Sequence, residues 1–558
     1  MSSYMLKVLF TVLALLTVSA MLAVKVILET KRDLHPIALA EQANITSTRK
    51  ERETAVYRNF TVPPGFPLTT GMGLSLGYRL RNGNFGDLWS SIMDLSSENY
   101  VELQGRKHPL ATINGEAKQL VKSLQQESSE PKRLGICVPV FGRPGFVLVI
   151  AGLMGSLQEF IPFFLPSVPR SKQDLQILAI ESWETFRQMN GSHEWYQKVI
   201  VCDSKKFEAP SSIPENIVTL EELLADAEDD RTFKYTPPQD NSDDLKVMAI
   251  NVSPFGTANS FTHMALVSSV AAFIKSFPLH NELSSHDHLS IILEDDSVLQ
   301  DAIQILPKLL ATLLHGGSAS LTSSHSFNTL EKCMSRNTTL LQIPENCSLL
   351  DSQLNFPLTV IQKARLALAS NFLSEGVFTS TALMSPAFEK LRCVYLASKV
   401  KNVRAVALMD LTVAKPTQES KKRARSTEFL NRMRALLGCR AVVELYCPFV
   451  VLGPVASTNF FDYRVFPQQV DGKFTNCGPV CTSLEAKLVE DDNSQDYDIL
   501  KRQGMLCIRG FTIGKPVESA HQKKALEVVE KFDGGEGWMP MLGVFCLWGK
   551  DGCLYEYK

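Results

Sequence analysis

The chain begins with a long apolar segment. No residue from Val8 to Val24 is charged, and Lys7 and Lys25 bound the segment on either side. At a helical rise of 1.5 Å per residue the segment spans roughly 25 Å, and Val26–Leu28 lengthen it when the lysine side chain extends toward the lipid headgroups. The pattern predicts one membrane-spanning helix, with nearly all of the chain in a large folded part on one side of the membrane.

A cleaved signal peptide is the alternative interpretation of the same segment. Val18 and Ala20 would then be the small residues that precede the cleavage site. The anchor is favoured because the apolar stretch continues past that site to Leu28.

The charges beside the helix predict its orientation. Lys25, Lys31 and Arg32 follow the apolar segment, whereas only Lys7 and the α-amine precede it. By the positive-inside rule this places the C-terminal bulk of the chain in the cytosol. Six N-x-S/T tripeptides argue for the opposite orientation, but such tripeptides are frequent by chance and are interpreted as incidental. They begin at Asn44, Asn59, Asn190, Asn251, Asn337 and Asn346.

Short apolar runs alternate with helical patterns over most of the chain. The runs rich in β-branched residues predict buried strands at 134–140, 198–203, 245–253, 289–294, 403–410 and 441–447. Helices are predicted after the turn 142–145, after Thr262, over 298–314 and over 420–437, whereas 120–133 and 317–358 are predicted as surface loops. Alternating strands and helices predict an α/β fold with a mostly parallel sheet and helices on both faces.

The pattern changes after Tyr446, where strands follow one another with few long helices between them. Runs at 449–455, 484–490 and 504–510 predict strands, and the chain ends in a hairpin with its turn at 550–552. We therefore divide the chain into a membrane anchor (1–28), a polar linker (29–65), an α/β core (66–440) and a β-rich subdomain (441–558).

Composition narrows the function. The formal net charge is −2 and no large basic block is present, which argues against nucleic acid as a partner. Twelve cysteines in 558 residues are too sparse for a disulfide scaffold, and no spacing of histidine and cysteine resembles a zinc or other metal site. Reduced cysteines fit a cytosolic domain.

The C-terminal part of the sequence resembles a known family. The segments CGPVCTSLEAKLVEDD, GMLCIRG and EGWMPMLGVFCLWGKDGCLYEYK occur in this order. Together they resemble the end of the large N-terminal domain of long-chain acyl-CoA synthetases, in the adenylate-forming (AMP-binding) superfamily, which activates carboxylates with ATP. RNGNFGDLW and the stretch 132–164 are similar to upstream segments of these enzymes, so the resemblance covers most of residues 80–558.

The motifs that hold ATP in this family are altered here. The stretch matching the phosphate-binding loop is Asn251–His263, which retains Gly256 and a Thr-His pair at Thr262 but contains no lysine or arginine. A phosphate cradle needs a permissive backbone and a cation. The family's Tyr-Gly-x-Thr-Glu motif corresponds to 446–450, where Tyr446 keeps the aromatic ring that stacks on adenine.

In that second motif Phe449 and Val450 replace the threonine and the glutamate, and a valine cannot ligate Mg²⁺. The family's Thr-Gly-Asp, whose aspartate binds ribose, corresponds to 541–543, where the carboxylate is missing. The sequence given ends at Lys558, where the hinge to the small C-terminal domain would begin, so the resemblance implies that this domain and its catalytic lysine are absent. Without that lysine, the oxyanion stabilisation that adenylation requires has no obvious source.

The resemblance therefore implies a membrane-anchored pseudoenzyme with no catalytic residues, no metal and no functional cofactor site; Gly256, Thr262 and Tyr446 remain as remnants. The implied role is that of a scaffold, regulator or acyl-chain binder in fatty-acid and lipid metabolism. Its expected partners are the membrane, a fatty acyl chain and an active acyl-CoA synthetase, and its expected location is the endoplasmic reticulum or the lipid droplet.

Two other hypotheses stay open. An active long-chain fatty acid–CoA ligase with a divergent site would need ATP and Mg²⁺ and would use the retained residues Tyr446, Lys487, Arg509 and Asp551. Their alternative, structural roles are a core aromatic for Tyr446, exposed strand faces for the lysine and arginine, and a turn for the aspartate.

The second hypothesis is a Golgi glycosyltransferase. The run IILEDDSVL places Glu294-Asp295-Asp296 at the end of a strand, where three carboxylates resemble the metal site of such enzymes. The simpler interpretation is that these residues cap the following helix, since acidic residues favour helix N-termini. It is preferred because a glycosyltransferase leaves the C-terminal motifs unexplained.

Overall fold

The N-terminal apolar segment forms one long helix, Ser3–Lys31. The computed structural model describes residues 3–33, 40–76, 79–96, 99–125, 132–158, 160–238, 240–254, 256–294, 299, 302–400, 425–491, 496–531 and 537–557. Within them Lys7–Lys31 is the one helix long and apolar enough to cross a membrane, with a mean hydropathy of 2.3 and none of that window buried. A signal sequence meets the same criteria of length and composition.

Eight strands form the first sheet, which is parallel except at one edge. With strands numbered along the chain, their spatial order is β11 (Ile217–Thr219), β10 (Lys198–Asp203), β9 (Ile177–Ser182), β7 (Lys132–Cys137), β8 (Phe160–Phe164), β12 (Val247–Val252), β13 (Ala258–Thr262) and β23 (Lys515–Pro516). β12 and β13 form an antiparallel hairpin, and β13 also pairs with β23.

The second sheet also has eight strands, and its six central strands are parallel. Their order is β19 (Pro454–Ser457), β18 (Arg440–Tyr446), β17 (Cys393–Lys399), β16 (Leu340–Pro344), β14 (His288–Leu293), β15 (Ser318–Ser323), β5 (Tyr100–Leu103) and β6 (Arg106–Pro109). Parallel strands end at a common edge, so residues that follow β14, β16, β17 and β18 lie side by side.

The third sheet is antiparallel and joins both ends of the described chain. Its order is β1 (Ala43–Ile45), β2 (Tyr57–Asn59), β21 (Leu484–Val489), β22 (Gln503–Gly510), β24 (Met539–Trp548), β25 (Leu554–Tyr557) and β20 (Phe474–Gly478). A separate hairpin joins β3 (Leu74–Leu76) to β4 (Arg79–Arg81).

Helices cover the two parallel sheets and enclose the largest hydrophobic cluster. The helix Arg143–Gly155 is buried from Gly145 onward, which explains why its sequence is apolar on every side. The other described helices after residue 33 are Phe85–Ser96, Leu110–Gln125, Trp183–Gln188, Leu220–Leu223, Ser242–Leu245, His263–Lys275, Leu306–Leu314, Leu330–Cys333, Ser348–Leu354, Val360–Ser374, Thr427–Leu437, Gln468–Asp471 and Ser519–Lys531.

The predicted α/β architecture is confirmed, and several strands match their predicted positions. The run 198–203 is β10, and the runs at 441–447 and 484–490 are β18 and β21 to within one residue at each end. The predicted helix over 298–314 is shorter in the structure: it covers Leu306–Leu314 and begins beside Pro307, which favours the first helical turn. The predicted strand at 403–410 lies outside the described residues.

The prediction of a surface loop over 317–358 is wrong. The segment contains β15 and β16, both in the centre of the second sheet, and short helices. Its serines and threonines suggested a loop, but the hydroxyl of Ser290 bonds to those of Ser320 and Thr338 at 2.7 and 2.6 Å. These mutual hydrogen bonds satisfy the hydroxyls and allow a polar sequence to be buried.

The structure also differs from the linker predicted over 29–65. β1 and β2 lie within this segment, and β2 pairs with β21 of the third sheet. Tyr57 of β2 is buried and stacks on Trp548, with ring centroids 4.0 Å apart and the rings nearly parallel at 4°. The sequence pattern does not predict these strands, because each is short, lies among polar residues and buries few side chains of its own.

Candidate functional site

A crevice opens at the carboxyl edge of the second sheet, where the residues after four parallel strands meet. The crevice is narrow, with a free volume of about 50 Å³, which is below the roughly 300–1,000 Å³ found for ligand pockets. Ile292, Leu293, Ile305, Pro344 and Ala397 supply apolar walls, and the polar side chains at its surface are those of Glu294, Gln304, Gln342, Lys399 and Tyr446. Ligands of open α/β sheets bind in such positions.

Tyr446, the retained aromatic, ends β18 and lines this crevice. Its hydroxyl donates a hydrogen bond of 2.9 Å to Glu444, which forms a buried ion pair with Lys308. The ammonium group also lies 4.1 Å from the ring centroid of Tyr395. Burial lowers the pKa of Lys308, whereas its carboxylate partner favours the charged form. The pair therefore fixes the tyrosine hydroxyl on the protein side of the crevice.

The turn that follows Tyr446 is held by three amide side chains from distant parts of the chain. Gln304 donates to the carbonyl oxygens of Pro448 and Val451 at 2.7 and 2.9 Å, and it accepts a bond from the Gly453 backbone. Asn251 and Asn259 donate to the carbonyls of Pro448 and Phe449 at 3.2 and 2.7 Å. The sequence pattern included Asn251 and Asn259 in the phosphate-loop stretch but predicted none of the three contacts with this turn, because only the fold brings the amides together here.

The two residues that replace the phosphate and metal ligands of the second motif are buried. Phe449 is 2% exposed and Val450 is 1% exposed. Val450 belongs to a hydrophobic cluster that also contains Met541, which is 1% exposed and begins the third motif. Both altered motifs thus contribute apolar side chains to one core.

The loop predicted to match the phosphate cradle connects β12 to β13 and is closed by its own hydrogen bonds. The backbone N–H groups of Ser253 and Gly256 donate to carbonyls of the loop at 2.8 and 3.0 Å. The Thr257 N–H donates to the Ser253 hydroxyl at 3.2 Å, and the two hydroxyls lie 2.6 Å apart. Gly256 has a φ of +82°, which favours glycine and permits the tight turn.

Thr262 lies at the other end of β13 from Gly256, so the two predicted remnants are not brought together. Its hydroxyl accepts a bond of 3.2 Å from the Ala265 N–H and caps the helix His263–Lys275. The neighbouring His263 is fully buried, with its Nε2 3.1 Å from the Ser156 hydroxyl, and burial lowers its pKa to about 3. Both residues of the Thr-His pair have structural partners.

The remaining retained residues also have partners within the protein. Lys487 is buried and pairs with Glu53, so the prediction of an exposed strand face for it is wrong. Arg509 is half-buried and pairs with Glu485. Lys487 is buried because β2 and the residues before it cover β21. The sequence pattern of β21 alone does not reveal this contact.

Asp551 lies in the predicted terminal turn and accepts bonds from Arg464 at 2.6 Å and from Tyr555 at 2.8 Å. Of the acidic triplet only Glu294 is described, and it lines the crevice; Asp295 and Asp296 lie outside the described residues. Across the described part of the chain, no group of three or more histidine, cysteine, aspartate or glutamate side chains is arranged to hold a metal ion.

Several solved structures share this fold. The chain is similar to the luciferase-like enzyme of the mealworm Zophobas morio (TM-score 0.55, 13% identity, 88% of this chain and 99% of that one). It is also similar to the anthranilate CoA ligase AuaEII (0.55, 11%, 87% and 77%) and to the N-terminal domain of FACL13 from Mycobacterium tuberculosis (0.51, 11%, 85% and 100%). These identities show a shared adenylate-forming fold alone.

No family model matches the chain. An uncharacterized protein of Saccharomyces cerevisiae, YHR045W, is 44% identical to it over 571 aligned positions, which cover 100% of this chain and 99% of the yeast protein. Identity at this level along the whole length indicates common ancestry and a common fold. The chain therefore belongs to the same family as YHR045W, and this family has the adenylate-forming fold.

Proposed function

We propose that this protein is a membrane-anchored, non-catalytic acyl-CoA synthetase-like protein that binds an acyl group in the crevice beside Tyr446. The observation that carries the proposal is the state of the three altered motifs. The N–H groups of Ser253, Gly256 and Thr257 in the loop are bonded internally, Val450 at the metal position is packed in the core, and the ribose position is a glycine, Gly543.

ATP and Mg²⁺ do not fit the residues at these positions. A phosphate needs backbone N–H groups that point outward, whereas those of Ser253, Gly256 and Thr257 donate within the loop. Mg²⁺ requires oxygen ligands, and the corresponding side chains, Phe449 and Val450, supply none. No adenylation step is assigned to this chain.

The lining of the crevice supports an acyl ligand. Most of its wall is apolar, and the side chains of Gln342 and Lys399 lie at its surface where a polar head would be placed. An apolar cavity with a few polar groups is the usual form of a site for a small amphipathic molecule. Because the free volume is about 50 Å³, the proposal includes a widening of the crevice when the acyl group enters. In this proposal the protein acts as a scaffold or regulator at the endoplasmic reticulum or lipid droplet, together with an active acyl-CoA synthetase.

The two other hypotheses have less support. An active ligase would use Tyr446, Lys487, Arg509 and Asp551, but each of these bonds to another side chain of the protein. A glycosyltransferase would use Glu294-Asp295-Asp296. This hypothesis is less supported because the solved structures that share the fold are a luciferase-like enzyme and CoA-ligase-type proteins.

Two binding measurements on the full chain in detergent micelles test the proposal. Calorimetry with ATP and Mg²⁺ is expected to show no binding at micromolar concentrations, whereas a fluorescent fatty acid is expected to bind saturably. Ala397→Phe places a large ring in the crevice and should weaken fatty-acid binding about tenfold or more. Ala225→Phe, at an exposed position, is the matched control and should bind like the unmodified protein.

Micromolar, Mg²⁺-dependent binding of ATP would overturn the non-catalytic role. Equal fatty-acid affinity in the two variants would overturn the crevice as the acyl site. Absence of any saturable fatty-acid binding would leave the scaffold role without its proposed ligand and would refute that part of the proposal.

A further inference from the structure

The base of the N-terminal helix is fixed to the folded domain. Arg32, directly after the helix, pairs with the Glu375 carboxylate at 2.5 Å and donates to its carbonyl at 3.1 Å. The Asp33 N–H donates to the Gly376 carbonyl at 2.7 Å. Both partners follow the helix Val360–Ser374 directly, so the anchor and this helix end at the same place.

Asp33 also locates the anchor relative to the second sheet. Its carboxylate pairs with Arg440 and accepts a bond of 3.0 Å from the Tyr463 hydroxyl. Arg440 is the first residue of β18, and Tyr446 at the crevice is the last. At about 3.3 Å per residue, the two ends of this strand are roughly 20 Å apart. The anchor therefore meets the amino edge of the sheet, and the crevice opens at the opposite edge.

The helix Val360–Ser374 has two apolar faces, one buried against the protein and one exposed. Ala369 and Leu373 on one face are buried against the protein. On the other face Val360 and Leu368 are 83% and 47% exposed, and Ile361 is 68% exposed. Leu368 follows Ile361 by seven positions and Val360 by eight, so the three side chains lie on one side of the helix and form an exposed stripe.

Basic residues flank this stripe. Lys363 and Arg365 are exposed on the two sides of the helix that border it. Apolar side chains flanked by lysine and arginine are the pattern of helices that lie in the interface of a membrane with anionic lipids. Charge complementarity therefore favours a lipid surface over another protein as the occupant.

A second segment presents an apolar side chain at the same edge. Leu279 is 80% exposed, and two residues later the Asn281 carbonyl accepts a bond of 2.6 Å from Arg392. Arg392 directly precedes β17, the neighbour of β18 in the sheet, and its carbonyl bonds to the Arg440 N–H. Leu279 thus lies near the base of the anchor, where the helix Val360–Ser374 also ends.

We infer that the amino edge of the second sheet rests on the bilayer, with the helix Val360–Ser374 in the lipid interface and Leu279 as a second contact. This inference rests on the membrane anchor in the proposed function. It adds an orientation: the crevice beside Tyr446 opens away from the membrane, toward water and soluble partners. The ligand of the new surface is a phospholipid bilayer that contains anionic lipid.

Fluorescence quenching in lipid nanodiscs tests the inference on the full chain. Single cysteines at Val360, Leu368 and Leu279 are labelled with an environment-sensitive dye, and the lipid carries a nitroxide near the headgroup. Ser326→Cys is the control, because Ser326 is exposed just after β15 at the opposite edge of the sheet. Cys481 is half-buried and the other native cysteines are buried, so the unmodified protein measures background labelling.

The three test positions are expected to be quenched about threefold or more relative to Ser326→Cys, because interfacial side chains enter the headgroup layer. Replacing Lys363 and Arg365 by glutamine should reduce this quenching when anionic lipid is present. Equal quenching at Leu368 and Ser326 would overturn the inference. Energy transfer between labelled copies without lipid quenching would also overturn it, because a second copy would then cover the helix.

Co-elution of the protein with the nanodiscs is read separately from quenching. If the full chain co-elutes but Leu368 is not quenched, the anchor stands and the orientation is wrong. If the chain does not co-elute, the anchor in the proposed function fails, and the inference fails with it.

Discussion

Buried polar side chains shape the crevice at the level of single residues. Gln304, Asn251 and Asn259 each satisfy backbone carbonyls of the turn after Tyr446, and Glu444 satisfies the tyrosine hydroxyl. An unsatisfied buried carbonyl costs roughly 1–3 kcal/mol, so these bonds fix one conformation of the turn. The polar chemistry near the crevice is therefore used to build the fold.

Two buried histidines predict how stability depends on pH. Burial lowers the pKa of His263 to about 3 and that of His288 to about 4, from an ordinary value of 6.5. Both are neutral when folded, whereas the unfolded chain takes up protons below pH 6.5. The free energy of unfolding should therefore fall as the pH drops from about 6.5 toward 4, by up to about 4 kcal/mol in total at pH 5.

Urea unfolding of the full chain in micelles at pH 7 and pH 5 measures this change. His288→Asn keeps a partner for the Ser318 hydroxyl, which lies 2.7 Å from the histidine Nδ1, and removes one titrating group. The variant should lose about half of the pH dependence. An unchanged difference between the two pH values would contradict the assignment to these histidines.

At the level of elements, the third sheet depends on a strand from the N-terminal segment. Tyr57 of β2 stacks on Trp548 of β24, and Arg58 pairs with Glu485 of β21. Truncating a large buried aromatic side chain costs about 3–5 kcal/mol. Tyr57→Ala should therefore lower the free energy of unfolding by about this amount and release the segment from the sheet.

Limited trypsin digestion of the full chain measures the release, because Arg49 and Lys50 are exposed beside β1 and β2. Cleavage at these residues should be faster in Tyr57→Ala. Phe66→Ala is the matched control, since Phe66 is 64% exposed and its loss should change stability by about 0.5 kcal/mol or less. Equal cleavage rates in the two variants would show that the stack does not hold the segment.

The sequence predicted elements whose side chains are buried on both faces, and it failed where burial depends on distant partners. The run KVIVCD is apolar enough to identify β10 by itself. SASLTS, which forms β15, is polar, and only its pairing with β14 and β5, together with the Ser320–Ser290 hydroxyl bond, makes it a buried strand. The same limit applies to the candidate site. The motif at 446–450 identified Tyr446, whereas Gln304 was not predicted because the carbonyls that it binds lie more than 140 positions away in the sequence.

At the level of the whole molecule, the sequons and the helix flanks make opposite predictions of topology. In three sequons the asparagine side chain is held by the protein itself. Asn44 donates to three carbonyls, Asn59 donates to the Val480 carbonyl, and Asn251 is fully buried. Asn190 and Asn337 are exposed, so they report the compartment. Lys25, Lys31 and Arg32 favour a cytosolic domain by the positive-inside rule.

We therefore expect the full-length protein from cells to show no change in mobility after glycosidase treatment, since a cytosolic domain does not meet the glycosylation machinery. An N-terminal extension carrying one sequon is the positive control, because the same topology places it in the lumen. A mobility shift of the unextended protein that disappears with Asn190→Gln and Asn337→Gln would place the domain in the lumen. That result would contradict the cytosolic location and turn the open crevice, which faces away from the bilayer, toward lumenal partners.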